Sequence, residues 1–287
     1  MSRHSHSEAP EIDETDTSVA IRRLRARLLT TLMCVGIGGL VAGGVYVTRP
    51  LDADQLEDVA TTVLAADGRM LELRLNSDGR WREQIALHEI DPDLVAAMLA
   101  YEDRRFYSHV GVDPIAIVRA ALSVVTTGRV VSGASSVTMQ VARLLNPDLR
   151  KRSLGAKIRQ MWYALRLEYH WSKAEILHAY FQLAPYGGNV EGIKAASMAW
   201  LQKPPAELTM TEIGLLVALP QAPEQRRPDR HPQAAMAAKN HVLRNVGDHL
   251  AMDAEVLDDF FDQRQTVTPK LPPNHGTHQL HPKQSPP

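Results

Sequence analysis

Apolar residues recur from Asp91 onward at the three- and four-residue spacing that places them on one face of a helix. This pattern predicts nine helices separated by short polar connections. They cover Asp91–Tyr101, Pro114–Thr127, Ser136–Leu145, Leu154–His170, Lys173–Leu183, Gly192–Leu201, Thr209–Leu219, Gln233–Leu250 and Ala254–Phe261. Residues 88–265 are therefore predicted to form one mainly α domain.

The segment before this domain, residues 52–87, has a different pattern. Its apolar residues alternate with polar ones in two short runs, Val59–Val63 and Leu71–Leu75. Asp67-Gly68 and Asp78-Gly79 are turn signals between and after these runs. The segment is therefore predicted to be a small β-hairpin elaboration.

A charge-free stretch, Leu28–Val47, approaches the roughly 20 apolar residues that span a bilayer as a helix. Arg22, Arg23, Arg25 and Arg27 precede it, and Asp52, Asp54, Glu57 and Asp58 follow it. Because positive flanks stay cytoplasmic, one transmembrane helix is predicted at 28–48, with the N-terminus inside and the main domain periplasmic. A cleaved signal peptide is the alternative, but the stretch is long for one and lacks a clear cleavage site before Thr48.

Composition narrows the class of protein further. An apolar content of 44% over 287 residues allows a sizeable core, and a net charge of -1 argues against a general nucleic-acid binder. The single cysteine, Cys34, excludes an intrachain disulfide framework and argues against a zinc site. The polar residues 1–27 and the Pro- and His-rich residues 266–287 are predicted to be disordered tails.

Four clusters of residues could carry chemistry. Glu102 and Asp103 end an apolar helix, the unfavourable end of the helix dipole for acids, so they are either solvated carboxylates or a functional pair. Gly133–Arg143 combines a glycine turn with a serine N-cap. This segment is either the start of an ordinary capped helix or an anion-binding site formed by free backbone N–H groups. Lys173–Gly188 is an amphipathic helix that runs into a glycine-rich turn.

The remaining cluster is a basic stretch opposed only by Asp148. Its cations are Arg143, Arg150, Lys151, Arg152, Lys157, Arg159 and Arg166. At 100° per residue, Lys157 and Gln160 share a helix face, whereas Arg159 and Arg166 project away from it. Part of the stretch is therefore a solvated face, and part could bind an anionic group.

Taken in order, the four clusters resemble the signatures of the peptidoglycan glycosyltransferases, glycosyltransferase family 51. The first matches E-D-x-x-F-x-x-H-x-G, the second G-x-S-T-x-T-Q-Q, the third R-K-x-x-E and the fourth K-x-x-I-L-x-x-Y-L-N. The departures include Ser136 for threonine, Met139 for the first glutamine, Gln160 for the glutamate and Gln182 for the asparagine. The S-x-x-K and K-T-G motifs of a transpeptidase domain do not follow.

The resemblance implies a lysozyme-like domain in the inner membrane that polymerises lipid II into glycan and releases undecaprenyl pyrophosphate. Glu102 is the implied catalytic base, and Gln160 occupies the second catalytic position. The implied substrate-binding residues are Asp103, Phe106, His109, Ser135, Thr138, Gln140, Arg143, Arg152 and Lys157. A divalent cation, Mg²⁺ or Mn²⁺, is an optional companion of the pyrophosphate, with no dedicated metal site in the protein. Lipid II, the growing glycan, the membrane and other cell-wall synthesis proteins are the implied partners, and nucleic acid is not one.

Two other functions stay open on the sequence alone. Gln160, Gln182 and the lack of transpeptidase motifs would suit a catalytically weak scaffold that binds lipid II. A lytic, glycan-cleaving enzyme also needs only one carboxylate in a lysozyme-like cleft, but it leaves the basic stretch and the predicted anchor unexplained.

Overall fold

The computed structural model describes residues 41–66, 70–127, 135–151 and 153–247, together with residues 27, 30, 31, 33, 34 and 36–39. Within these residues, eight α-helices follow residue 90. They are α1 (Pro92–Glu102), α2 (Pro114–Thr127), α3 (Val137–Leu145), α4 (Leu154–His170), α5 (Lys173–Leu183), α6 (Ile193–Leu201), α7 (Met210–Ala218) and α8 (Pro232–Gly247). Short 3-10 turns lie at Asp54–Leu56, Leu87–Glu89, Phe106–Ser108, Pro147–Arg150 and Leu219–Gln221.

The prediction of a mainly α fold is confirmed, and each described helix matches a predicted one to within three residues at either end. Capping explains this agreement, since Ser172 and Thr209 each accept a bond from the backbone of the third helical residue. Glu175 and Glu212 return bonds to these caps and complete two capping boxes. The predicted helix at residues 254–261 and the end of the one before it lie outside the described residues.

The predicted hairpin is present: β1 (Thr61–Leu64) pairs antiparallel with β2 (Met70–Arg74). The proposed turn at Asp67-Gly68 lies outside the described residues. A second two-stranded sheet, β3 (Pro185–Gly187) with β4 (Val190–Glu191), was not predicted. Its turn requires glycine, because Gly187 has a φ of 103° and a Cβ there would come within 2.6 Å of the Arg227 side chain.

Arg82 ties the segment that carries β1 and β2 to the β3–β4 turn. This guanidinium is almost fully buried and donates to the carboxylate of Glu191 over 2.6 Å. It also donates to the backbone carbonyls of Gln55 and Asp58. Trp81 adds two backbone bonds beside it, to Asn189 and Glu191. A buried charge of this kind is stable only when paired, so the two parts are held in one arrangement.

The core of the domain is built around α3, which packs against α4 and α5. Val137, Val141 and Ala142 of α3 are fully buried. A second layer packs α1 against α7, and α7 against α8, where Gly214 allows close approach of Leu243. The C-terminus of α1 and the N-terminal half of α3 are joined by side-chain bonds between these layers, which positions the site described next.

The chain divides into two units, residues 1–49 and 50–287, of which the second carries the fold described above. In the first unit, the described residues between 27 and 47 are helical. Among the described residues, no helix combines the length and the apolar character needed to cross a membrane. Residues 28, 29, 32, 35 and 40 of the predicted span 28–48 lie outside the described residues, as do both predicted tails except residue 27.

Candidate active site

Glu102 is the last residue of α1, and both of its carboxylate oxygens accept hydrogen bonds from side-chain amides. The Nε2 of Gln140, on α3, donates to Glu102 Oε2 over 2.8 Å. The Nε2 of Gln221, in the turn after α7, donates to Glu102 Oε1 over 2.9 Å. Within the described part of the chain, no ion pair reaches this carboxylate. Two neutral amides therefore orient Glu102 without neutralising it, and it can still accept a proton.

Glu102 lines one cleft, and its partner Gln140 lines a second. The first, called here the Glu102 cleft, has a volume of about 460 Å³, and Tyr101, Glu102, Arg105, Arg119, Ser135 and Ser136 are among its lining residues. The second, called the Arg143 cleft, has a volume of about 330 Å³, and Arg80, Gln140, Arg143, Arg150, Tyr180 and Glu224 are among its lining residues. Gln140 connects the two, because it lines the second cleft and bonds to the carboxylate that lines the first.

Two partly buried cations adjoin the clefts: Arg143 lines the second cleft, and Lys157 contacts Ser135, which lines the first. The Lys157 ammonium donates to the Ser135 hydroxyl. Burial lowers the pKa of Lys157, and the positive charge of Arg143 lowers it further. Burial also lowers the pKa of Arg143, while the Glu102 carboxylate acts in the opposite direction. Neither cation forms an ion pair with a carboxylate in the described residues, so together they favour an anionic ligand.

Asp103 and His109, both predicted to bind substrate, are buried and hold the start of α3. The Nε2 of His109 lies 3.0 Å and 3.1 Å from the two carboxylate oxygens of Asp103. The backbone N–H of Val137, at the first position of α3, donates to Asp103 Oδ2 over 2.9 Å. Asp103 thus serves as the partner of a helix N-terminus that comes from a distant part of the chain. A direct contact of either residue with substrate stays a prediction.

The side chains of Phe106 and Thr138 likewise make contacts within the protein. The Phe106 ring is buried, and the Lys173 ammonium lies 4.4 Å from its centroid. Thr138 is fully buried and donates through Oγ1 to Glu168 Oε1 over 2.7 Å. Lys173 donates to the same oxygen of Glu168 over 2.6 Å and to the backbone carbonyl of His109 over 2.7 Å. These contacts join the first and second signatures to α4 and α5.

Gln160 is buried in α4 and does not bond to Glu102, Arg143 or Lys157 in the described structure. Its Nε2 donates to the backbone carbonyl of Leu149 over 2.5 Å, and its Oε1 has no hydrogen-bond partner in the described residues. Its catalytic role stays a prediction. Arg152 lies outside the described residues.

Sequence reasoning missed Gln221. This residue is 119 positions from Glu102, and the local sequence Pro220-Gln221-Ala222-Pro223 indicates only a turn.

The described residues contain no group of three or more His, Cys, Asp or Glu side chains arranged to hold a metal ion.

Comparison with protein families identifies the class. Residues 67–247, more than half of the chain, match the family model described as Transglycosylase. The chain therefore belongs to the transglycosylase family, and the resemblance stated from its signatures is confirmed.

Two relatives found by sequence agree with this assignment. Penicillin-binding protein 1C of Escherichia coli (strain K12) is 46% identical over 207 residues, which cover 72% of this chain and 26% of the relative. Penicillin-binding protein 1A of the same strain is 33% identical over 251 residues, which cover 83% and 28%. The chain thus spans about a quarter of the length of these relatives. A crystal structure of penicillin-binding protein 1A from Haemophilus influenzae aligns with a TM-score of 0.41 and 16% identity over 75% of this chain and 22% of that one.

Proposed function

We propose that this chain is a peptidoglycan glycosyltransferase that polymerises lipid II into glycan strands. The observation that carries the proposal is the position of the Glu102 carboxylate, which lines one cleft and accepts a hydrogen bond from Gln140. Gln140 in turn lines a second cleft, which contains Arg143. Membership of the transglycosylase family supports the reaction class. The lysozyme-like character of the domain is part of the same proposal.

In the proposed reaction, one substrate provides a sugar hydroxyl and the other provides an anomeric carbon linked to a pyrophosphate. Glu102 removes the proton of the 4-hydroxyl as that oxygen forms a bond to the anomeric carbon. The bond from this carbon to the pyrophosphate oxygen breaks, and undecaprenyl pyrophosphate leaves with the bonding electrons. The proton stays on Glu102 until solvent removes it.

The proposed role of Arg143 and Lys157 is to stabilise the leaving pyrophosphate. Both cations are partly buried, and each interacts more strongly with a phosphate there than it would in water. The Ser135 hydroxyl, which accepts a bond from Lys157, would hold a phosphate oxygen beside these cations. A divalent cation on the pyrophosphate would add to this charge.

We further propose that the domain works at the periplasmic face of the inner membrane. The charge-free stretch Leu28–Val47 and the arginines before it support an anchor with a cytoplasmic N-terminus. An anchor would confine the site to the plane that contains its lipid-linked substrate. A reporter enzyme fused near Pro50 should be active only when exported, and cytoplasmic activity would contradict this topology.

Incubation of the purified full-length protein with labelled lipid II tests the reaction. We expect polymer that is separable by gel electrophoresis, and we expect Glu102→Gln to reduce its formation by about 10²–10⁴-fold because the base is lost. Glu207→Gln is the matched control, since Glu207 is exposed and lies outside the site. A Glu102→Gln variant that retains more than about a tenth of wild-type turnover would remove Glu102 from the mechanism.

The same experiment separates the alternatives. A lipid II-binding scaffold would bind the substrate without forming polymer. A lytic enzyme would release fragments from purified, lipid-free cell-wall sacculi, which a polymerase does not do.

A further inference from the structure

The second oxygen of the Glu102 carboxylate is held from a part of the chain that none of the four signatures includes. Gln221 ends the short 3-10 turn Leu219–Gln221, directly after α7, and donates to Glu102 Oε1 over 2.9 Å. Gln140 donates to the other oxygen from α3. The carboxylate is therefore held between two separate elements, and its plane is defined by both.

The amide of Gln221 is itself oriented by two donors. Its Oε1 lies 3.3 Å from Nη1 of Arg226 and 3.4 Å from the hydroxyl of Tyr101, and both of these groups donate to it. Because the amide oxygen faces two donors, the amide nitrogen is the atom that faces Glu102. The reverse orientation would place an amide oxygen against a carboxylate and an NH₂ group against two donors.

Arg226 is in turn fixed by the backbone. The same Nη1 donates to the carbonyl oxygen of Ala218 at the end of α7 over 2.6 Å. This bond satisfies one of the carbonyls that a helix C-terminus leaves unpaired and places a positive charge where the helix dipole favours it. The chain of contacts runs from the end of α7 through Arg226 and Gln221 to Glu102.

We propose that Gln221 is a positioning residue for the catalytic base, and that Arg226 acts through Gln221 by fixing the orientation of its amide. This proposal rests on the proposed function, in which Glu102 removes a proton from the acceptor sugar. A base contributes fully only when it lies within hydrogen-bond reach of that proton in the correct direction. Gln221 is exposed, so its contribution to folding is small, and its contribution to the geometry of Glu102 can be measured separately.

The first test compares steady-state kinetics of the full-length protein and three variants with labelled lipid II. Gln221→Leu should lower kcat about three- to tenfold, the rate equivalent of one net hydrogen bond, with KM within about twofold of wild type. Gln221→Glu keeps the size of the side chain and an acceptor for Arg226. It should lose at least as much activity, because a carboxylate replaces the donor. Gln233→Leu is the matched control, since Gln233 is exposed on α8, and it should match wild type.

A double-mutant cycle tests the role of Arg226. Arg226→Leu should lower kcat in the native background and should add nothing in the Gln221→Leu background, because its effect passes through Gln221. Arg226→Lys, which keeps a donor, should restore part of the loss and guards against a folding defect in the leucine variant. Thermal melts of each variant show whether the folded fraction is unchanged.

The outcomes are distinct. If the wild type forms polymer and Gln221→Leu has wild-type kcat, the positioning role is wrong while the proposed function stands. If Arg226→Leu loses the same factor in both backgrounds, Arg226 does not act through Gln221, and that part is wrong. If neither the wild type nor any variant forms polymer, it is the proposed function that fails.

Discussion

Replacing Thr138 by valine distinguishes a structural role of this residue from the substrate contact that its signature position implies. Valine has nearly the same shape and volume as threonine but lacks the hydroxyl group. Thr138 is fully buried in α3, and its Oγ1 donates to Glu168 Oε1 over 2.7 Å. The substitution therefore removes one hydrogen bond from a buried carboxylate and leaves no cavity.

The expected loss of stability follows from these contacts. A hydrogen bond to a charged group contributes about 1.5–3 kcal/mol. Glu168 keeps its bond from Lys173, so we expect a value toward the lower end, about 2 kcal/mol. For a domain of about 200 residues, this corresponds to a fall in Tm of roughly 4–8 °C.

The assay combines a thermal melt followed by circular dichroism with polymer formation measured well below both melting temperatures. We expect Thr138→Val to melt earlier and to keep most of its turnover in the cold. Thr126→Val is the matched control, because Thr126 is exposed and its hydroxyl, among the described residues, bonds within its own helix. An unchanged Tm together with a large loss of turnover would refute the structural role and restore the substrate contact.

Further predictions concern the cations, an acid-sensitive ion pair and the second catalytic position. Lys157→Ala should reduce polymer formation roughly 10²-fold. Arg166→Ala should stay within about twofold of wild type, since this guanidinium donates to a backbone carbonyl on the surface. Hydrogen bonds from Arg105, with help from backbone N–H groups, lower the pKa of Asp113 to about 2. A carboxyl group whose pKa is lower in the folded state than in the unfolded state stabilises the fold at pH values above its unfolded-state pKa. Asp113→Asn should therefore lose roughly 2 kcal/mol at neutral pH, and the difference from wild type should shrink as the pH falls below about 4 and be largely lost at about 2. Gln160→Glu should lower the free energy of unfolding by about 1–3 kcal/mol in urea titrations at pH 7, because a donor to a backbone carbonyl is lost.

Each of these results has a clear opposite. Equal losses of polymer formation from Lys157→Ala and Arg166→Ala would show that it does not matter for catalysis which face of α4 carries the cation. A stability penalty of Asp113→Asn that persists unchanged at pH 2 would show that the ion pair is not its source. If Gln160→Glu raised turnover by orders of magnitude in an otherwise inactive protein, the native chain would be a binding module.

The helices could be predicted because their determinants are local. Ser172 with Glu175, and Thr209 with Glu212, form capping boxes within four residues of sequence, and the apolar spacing follows directly. The β3–β4 sheet could not be predicted in the same way. Its strands are three and two residues long, and their pairing depends on Gly187 and on contacts with Arg227.

The sequence indicated Glu102 as the candidate base, but it did not indicate the residues that orient this carboxylate. Glu102 stood out because an acid closes an apolar helix, and its signature could be matched. The partners that orient it are 38 and 119 residues away, and nothing in the sequence around Gln221 indicates a contact with α1. The substrate contact of Asp103 stays a prediction, and its bonds to His109 and to the start of α3 could not be predicted from its signature.

The bonds of Arg82 define where an independently folding fragment of this protein can begin. The matched family region begins at residue 67, but this buried guanidinium takes two of its acceptors from Gln55 and Asp58. A fragment that starts at residue 67 would retain the charge and lose both carbonyls, leaving Glu191 as its remaining partner. Soluble fragments for crystallisation or calorimetry should therefore start at or before Pro50, whose own carbonyl accepts a bond from Arg166.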